Sequence, residues 1–285
     1  MSDPCSPVPL RQPTGVLGRI VSRTVADLAA LQLPAGAQRS TLPPGAFCAA
    51  LRAEAQREPL GLGLIAEVKP ASPSRGRLLS RAAVPAYVAA VAVPAAALSV
   101  LVDTPHFNGG FDLLAQVRSL TNRPLLAKGF FVSSRQLTLA HEAGADAVLL
   151  MASVLSPAGL HALAEEAQGL GLDLLLEAHD ADEIVILQDA TIHLQCDSSD
   201  VCIGVNARDL TTLAIDEGRA HALLATMPHG RRAPLRVAES GIASRQALDG
   251  LRGIADAVLV GSHLATASDP AEAARALGFS EAGWP

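Results

Sequence analysis

Short apolar runs recur along the chain from residue 64 onward, and segments with apolar residues at helical spacing lie between them. The runs cover residues 64–66, 97–101, 125–127, 147–150, 172–176, 201–205, 235–238 and 257–260. Continuously apolar strands that alternate with helices are typical of parallel βαβ units, whose strands are buried on both faces. Eight such units over roughly 220 residues predict an α/β protein with a single (β/α)8 barrel, the TIM-barrel fold.

The predicted helices after these runs cover residues 84–93, 111–120, 134–143, 157–170, 182–189, 217–226, 244–250 and 270–277. A doubly wound open sheet is the alternative, but the eight runs and the lack of Gly-x-Gly-x-x-Gly after the first run favour the barrel. Two further helical segments, residues 16–31 and 45–58, precede the runs. We therefore expect an N-terminal helical extension over residues 1–60 packed on the barrel, the barrel over residues 61–279, and a tail over residues 280–285.

Charged, polar or small residues follow six of the eight runs. They are Glu67 and Lys69 after the first, Lys128 after the third, Glu177 and His179 after the fifth, Asn206 and Arg208 after the sixth, Glu239 and Ser240 after the seventh, and Gly261 and Ser262 after the eighth. The C-terminal ends of barrel strands face one mouth, so these side chains should meet there. Salt bridges that only stabilise the barrel are the structural alternative, but so many lysines and glutamates at one mouth favour a catalytic site.

Two strand ends also carry small residues suited to phosphate. Ser240-Gly241-Ile242 follows the seventh run and Gly261-Ser262 follows the eighth, the positions where barrels commonly bind phosphate groups. Glycine lets the backbone amides approach an anion, and Ser72 and Ser74 on the first loop are placed to close the ring. A lone Gly-Ser pair is usually an ordinary turn, whereas two pairs at the expected strands predict a phosphate site.

Composition excludes several classes of protein. The net charge of −6 argues against a general nucleic-acid surface, and no apolar run approaches the ~20 residues that span a membrane. Residues 1–15 lack the apolar core of a secretion signal, so a soluble, cytoplasmic protein is predicted. The four cysteines form no Cys-x-x-Cys pair and no metal-ligand cluster stands out, so neither a metal site nor a disulfide framework is expected. We expect a monomer or weak homodimer.

Several motifs together resemble one family, the indole-3-glycerol phosphate synthases of tryptophan biosynthesis. They are Glu67-Val68-Lys69 with Ser72-Pro73-Ser74, Lys128-Gly129-Phe130, Gly144-Ala145-Asp146-Ala147, Glu177-Ala178-His179-Asp180, Gly204-Val205-Asn206-Ala207-Arg208-Asp209-Leu210 and Glu239-Ser240-Gly241-Ile242. The resemblance runs in order from about residue 15 to residue 277. It implies a carboxy-lyase without metal or organic cofactor, whose phosphorylated substrate, 1-(2-carboxyphenylamino)-1-deoxyribulose 5-phosphate, is closed to an indole with loss of CO2 and water.

The resemblance also implies roles for individual residues. Lys128 matches the general acid of ring closure, and the matching catalytic positions are Glu67, Lys69, Lys128, Glu177, Asn206, Glu239 and Ser240. The implied substrate-binding positions are Arg208, the phosphate cradle of Ser72, Gly241, Gly261 and Ser262, and the apolar walls of Phe107, Phe130 and Leu150. The N-terminal helix is expected beside the mouth of the site.

The chain departs from the family pattern at several positions. Gly129 stands where the family usually has aspartate, Val102 where threonine is common, and Ala207 where a polar residue is usual; residues 191–200 look like a surface insertion. These departures leave open a divergent copy in a specialised indole pathway. Other phosphate-binding barrels, phosphoribosylanthranilate isomerase and the tryptophan synthase α subunit, and a non-catalytic barrel that binds a phosphorylated ligand are the remaining alternatives. The isomerase would need a cysteine after the first strand, where Glu67 and Lys69 stand.

Overall fold

The computed structural model describes residues 3–57, 60–73, 75–193, 201–209, 214–230 and 232–280. In these ranges eight parallel strands close into a barrel in the order β1-β8-β7-β6-β5-β4-β3-β2. The strands are β1 Gly63–Val68, β2 Ala97–Leu101, β3 Leu125–Lys128, β4 Ala147–Met151, β5 Asp173–Ala178, β6 Val201–Asn206, β7 Leu235–Glu239 and β8 Ala257–Val260. The predicted (β/α)8 barrel is therefore confirmed, and several strands extend beyond their apolar run to include the polar residue that follows it.

Helices surround the strands, and their ends follow local sequence rules. They are α3 Val84–Val91, α4 Phe111–Leu120, α5 Ser134–Glu142, α6 Pro157–Gly169, α7 Ala181–His193, α8 Glu217–Ala225, α9 Arg245–Asp249 and α10 Pro270–Leu277. Helix α10, for example, begins after Asp269, whose carboxylate accepts from the Glu272 N–H at 2.9 Å, and ends at Gly278 with φ of 103°. Helix α7 continues to His193, so residues 191–193 are helical and not part of a loop insertion; residues 194–200 lie outside the described ranges.

Two helices precede the barrel and cover opposite ends of it. Helix α1, Gly15–Asp27, lies beside the C-terminal ends of the strands, and α2, Ala46–Arg57, closes the other end. The Asp173 carboxylate at the start of β5 accepts from the backbone N–H groups of Gly45 and Cys48 at 2.8 and 2.9 Å, which anchors the first turn of α2. Phe47 and Leu51 of α2 are fully buried against the barrel interior.

Short elements complete the mouth of the barrel. A hairpin formed by Ala71–Ser72 and Gly76–Arg77 follows β1, and four-residue helices, Thr104–Phe107 and Ser262–Ala265, follow β2 and β8. Single-turn 3₁₀ helices lie at Leu28–Ala30 and Arg81–Ala83. No helix in the described ranges is both long and apolar enough to cross a membrane.

Candidate active site

A cleft at the C-terminal ends of the strands brings together most of the residues predicted from the sequence. One part of it is lined by Val16, Leu17, Ile20, Glu67, Lys69, Ser72, Pro73, Leu101, Phe107, Lys128, Gly129, Phe130, Leu149, Met151, Glu177, Asn206, Arg208, Ser240 and Ser262. The adjoining part shares six of these residues and adds Arg75, Ile215, Glu239, Gly241, Ile242, Ala243, Leu259, Gly261, His263 and Thr266. The two parts differ in chemistry: the first has an apolar wall, and the second is rich in arginine, glycine and serine.

Lys128, the last residue of β3, lies at the floor of the cleft. Its Nζ is 3.0 Å from Glu239 Oε2 and 3.5 Å from Glu177 Oε2. Burial alone would lower the pKa of Lys128, but the carboxylates of Glu239, Glu177 and Glu67 outweigh burial and raise it. Lys128 is therefore an ammonium ion at neutral pH, held where it can donate a hydrogen bond or a proton to a substrate oxygen.

Glu177 of β5 and Glu239 of β7 both contact this lysine, and both are 1 % exposed. Burial raises the pKa of Glu239 to about 8, with a further contribution from the negative charge of Glu177 and opposition from Lys128. Burial acts on Glu177 in the same direction, but Lys128 and His179 outweigh it and lower the pKa of Glu177. Two adjacent carboxyl groups with opposed shifts are suited to hold one proton between them near neutral pH.

A second lysine–glutamate pair lies at the end of β1. Lys69 Nζ is 2.5 Å from Glu67 Oε2, and Glu67 is 1 % exposed while Lys69 is 19 % exposed. The Tyr87 hydroxyl of α3 donates to the Glu67 backbone carbonyl at 2.9 Å, which fixes the end of the strand. Lys69 and Lys128 are the only two lysines in the 285-residue sequence, and all its other basic residues are arginine or histidine. Both lysines thus lie in the cleft.

Asn206 is oriented by hydrogen bonds from two neighbours. Its Oδ1 accepts from the Ser240 hydroxyl at 2.7 Å and from the Arg208 backbone N–H at 3.0 Å. The Asn206 side chain also hydrogen-bonds Glu177, and this bond contributes to the lowered pKa of that carboxyl. Ser240 holds a left-handed backbone with φ of 67°, uncommon for a residue other than glycine and frequent at functional sites. Ser240, Asn206 and Glu177 therefore form one connected polar network.

The second part of the cleft suits an anion. Gly241, Gly261 and Ser262 line it together with two guanidinium groups, those of Arg208 after β6 and Arg75 in the hairpin after β1. Burial and the positive charge of Arg75 lower the pKa of Arg208, so the two arginines repel each other across this space. Ser72, predicted for the same cradle, lies instead in the first part of the cleft, where its hydroxyl accepts from the Arg75 backbone N–H at 3.2 Å. Ser74 is outside the described residues.

The apolar wall differs in part from the prediction. Phe107 and Phe130 face each other with ring centroids 6.4 Å apart. Leu150, predicted as a third wall residue, packs in the core between strands and outer helices, and its neighbours Leu149 and Met151 line the cleft. The prediction was wrong here because successive residues of a strand face opposite sides, and the fully apolar β4 gives no sign of which side is inward.

His179 lies directly behind Glu177. Its Nε2 is 3.4 Å from Glu177 Oε1 and its Nδ1 is 3.4 Å from Glu183 Oε2 on α7, with 12 % of the side chain exposed. The Glu183 carboxylate also accepts from the His179 backbone N–H at 2.8 Å. Burial opposes the imidazolium charge, but Glu183, Glu177 and Glu239 outweigh burial and raise the pKa of His179. The sequence placed His179 at this strand end without assigning it a role.

Other cleft residues were missed by the sequence reasoning. Val16, Leu17 and Ile20 of α1 line the apolar part, and Arg75 lines the arginine-rich part. The family resemblance implied that this helix lies beside the mouth, but the helical spacing of α1 did not indicate which of its residues line the cleft. Within the described ranges, no group of three or more His, Cys, Asp and Glu side chains is arranged to hold a metal ion.

Comparisons with known proteins agree with the motifs. A sequence model of the family described as indole-3-glycerol phosphate synthase matches residues 17–277. A protein of that name from Deinococcus radiodurans is 40% identical over 272 residues, covering 95% of this chain and 98% of its own length. Another from Rhizorhabdus wittichii is 38% identical over 260 residues, covering 90% of this chain and 93% of its own length.

Solved structures support the fold. The 3-hexulose-6-phosphate synthase from Salmonella typhimurium superposes with a TM-score of 0.58 at 20% identity, over 76% of this chain and 97% of that one. The tryptophan synthase α subunit from Legionella pneumophila gives a TM-score of 0.56 at 14% identity, over 84% of this chain and 97% of that one. At these identities the structures show a shared barrel and nothing finer. The sequence comparisons decide the family: this chain belongs to the indole-3-glycerol phosphate synthases.

Proposed function

We propose that this chain converts 1-(2-carboxyphenylamino)-1-deoxyribulose 5-phosphate into indole-3-glycerol phosphate, CO2 and water. The observation that carries the proposal is the position of Lys128, held by two buried carboxyl groups between an apolar wall and an arginine-rich, glycine-rich wall. The substrate carries matching groups in the same order as the cleft: an aromatic ring at one end, a ketone in the middle and a phosphate at the other end. Membership of the family supports the same assignment.

The two walls fix how the substrate would lie. The benzene ring packs against Phe107 and Phe130, and the phosphate lies near Gly241, Gly261 and Ser262. The negative charge of the phosphate there reduces the repulsion between Arg75 and Arg208. The ketone then lies above Lys128. Binding in this way holds the reacting carbons together, so that ring closure proceeds without the entropy cost of a free chain.

Ring closure is assigned to Lys128. The ring carbon that bears the carboxylate attacks the ketone carbon, and the carbonyl electron pair moves onto oxygen, which takes a proton from Lys128 Nζ and becomes a hydroxyl group. The bond to the carboxylate then breaks, CO2 leaves, and its electron pair returns to the ring system. The neighbouring Glu177–Glu239 pair holds a proton that can restore Lys128 to the ammonium form.

Dehydration is assigned to the second pair. The new hydroxyl group leaves as water with a proton from Lys69, and Glu67 accepts a proton from the adjacent carbon as the indole double bond forms. Two proton transfers of opposite direction need one acid and one base close together, and the 2.5 Å contact between Lys69 and Glu67 supplies both.

Single-turnover kinetics separate these roles. With enzyme in excess over carboxyl-labelled substrate, CO2 release reports ring closure and indole fluorescence reports dehydration. Lys128→Met should lower both rates together by about 10²–10⁴-fold, the usual contribution of a general acid. Lys69→Met should let CO2 release run ahead of indole formation, because only the later step has lost its acid.

Wild-type protein without added metal is the reference. Failure of wild type to form indole from bound substrate would contradict the proposed function and favour a non-catalytic, ligand-binding barrel. Equal loss of both signals in Lys69→Met would contradict the assignment of dehydration to Lys69 while leaving the function intact.

A further inference from the structure

Gly204 lies in the middle of β6, beneath the cleft, where nothing in its backbone requires glycine. Its φ is outside the left-handed region that glycine favours. A Cβ atom added at Gly204 would lie 2.4 Å from Glu239 Oε1 and 3.2 Å from Leu175 Cδ1. The space that any side chain at residue 204 would need is therefore filled by the Glu239 carboxyl group.

The strand register explains how Glu239 reaches this position. Gly204 pairs with Glu177 of β5 on one side and with Val237 of β7 on the other, while Glu239 is two residues further along β7. The Glu239 carboxyl group thus leans back over β6 towards the strand that carries Glu177. Its Oε2 stays 3.0 Å from Lys128 Nζ, so Oε1 is the atom that lies over Gly204.

The two carboxyl groups have buried oxygens that lack a normal hydrogen bond. Glu239 Oε1 is fully buried and accepts no hydrogen bond in the described part of the chain. Glu177 Oε1 is also fully buried, with His179 Nε2 3.4 Å away. A buried carboxylate oxygen without a donor is costly, and a single proton held between the two groups lowers that cost. The raised pKa of Glu239 and the lowered pKa of Glu177 fit such a shared proton.

We propose that Gly204 is a positioning residue of the active site: because it has no side chain, Glu239 can lean over β6 and share a proton with Glu177 beside Lys128. The inference rests on the proposed function, since it concerns the pair that returns protons to Lys128. The same arrangement recurs at β8, where a Cβ atom at Gly261 would lie 2.2 Å from Glu67 Oε2. Gly261 also borders the expected phosphate position, so Gly204 gives the cleaner test.

The first experiment compares Gly204→Ala with wild type. The added methyl group should displace Glu239 Oε1, lower kcat by about 10²-fold or more and change KM by less than about three-fold. The limb of the kcat–pH profile that Glu239 controls should move to lower pH, because a displaced Glu239 no longer shares its proton with Glu177. Gly169→Ala is the matched control, since a Cβ atom at that exposed helical position meets nothing within 4 Å.

A double-variant cycle then asks whether the effect passes through Glu239. In a Glu239→Gln background the shared proton is already lost, so adding Gly204→Ala should lower kcat by less than about three-fold. If Gly204→Ala lowers kcat by the same factor in the Glu239→Gln background as in wild type, the effect does not pass through Glu239. That result would overturn the proposal and point to a clash with Leu175 or to a disturbance of the barrel as a whole. Wild-type kcat and an unmoved pH profile in Gly204→Ala would also overturn it.

A readout without turnover separates this inference from the proposed function. In protein labelled with ¹³C at the glutamate carboxyl carbons, Gly204→Ala should lower the pKa of Glu239 even if wild type makes no indole. An unchanged Glu239 titration in a folded Gly204→Ala variant would contradict the inference whatever the enzyme does.

Discussion

Val102 and Gly129 lie side by side at the mouth of the barrel, and both differ from the residues usual in the family. A Cβ atom at Gly129 would lie 2.7 Å from Val102 Cγ2, so the valine methyl group occupies the space in which a side chain at 129 would begin. Both positions are buried. The two departures are therefore complementary in shape, a relation that the sequence does not reveal because the residues are 27 positions apart on different strand ends.

We expect Gly129→Ala alone to destabilise the fold by about 1–3 kcal/mol through overpacking. Combining it with Val102→Ala should remove the clash, so the double variant should be more stable than the sum of the two single effects predicts. Urea unfolding of the four proteins measures this coupling. If the changes in unfolding free energy of the two single variants are strictly additive in the double variant, the neighbouring strands accommodate the methyl group added at residue 129 without a clash with Val102.

At the scale of elements, the alternation of runs and helices predicted the barrel and the cores of its strands. The polar strand ends were placed correctly because all eight strands are parallel and end at one mouth. What the pattern could not supply was the inward or outward direction of residues in a fully apolar strand, hence the error at Leu150. It also missed the hairpin at Ala71–Ser72 and Gly76–Arg77, since two-residue strands leave no periodic signal.

His179 joins two elements, the end of β5 and the first turn of α7, through its contacts with Glu177 and Glu183. Other charged groups converge on the same place: Lys128 and Glu239 from the barrel, Arg11 on Glu183 at 3.5 Å, and Arg219 of α8, which donates to the His179 backbone carbonyl. A raised pKa in the folded state means that the folded protein holds the His179 proton more tightly than the unfolded chain does. That stabilisation is fully present below the ordinary imidazole pKa and is lost as pH rises through the raised value.

His179→Gln should therefore cost more stability at about pH 6 than at about pH 9, because only the charged imidazole has this contribution to lose. Chemical unfolding at the two pH values measures the difference. His161→Gln is the control, since His161 lies on an exposed face of α6 with one exposed carboxylate, Glu165, nearby. An equal cost for His179→Gln at both pH values would mean that the imidazole acts only by packing.

At the scale of the whole molecule, the N-terminal segment packs along the mouth end of the barrel. The backbone of Val8 donates to Val132 O and that of Arg11 to Val154 O, so the chain before α1 runs along the loops after β3 and β4. Helix α1 then lays Leu17 and Ile20 on the cleft, with only 6% and 5% of each side chain exposed. The eight βα units alone therefore do not form the whole site, because α1, outside the barrel, supplies part of the apolar wall of the cleft.

This arrangement predicts a binding role for α1 without a role in the chemical steps. Ile20→Ala should raise KM by roughly ten-fold, since removing a few buried methylene and methyl groups from the ring-binding wall weakens binding by about 1–2 kcal/mol. The value of kcat should stay close to wild type, because the wall contacts substrate and transition state alike. Arg19→Ala, on the exposed face of the same helix, should change neither constant. A fall in kcat with unchanged KM in Ile20→Ala would instead show that α1 orders the catalytic lysines themselves.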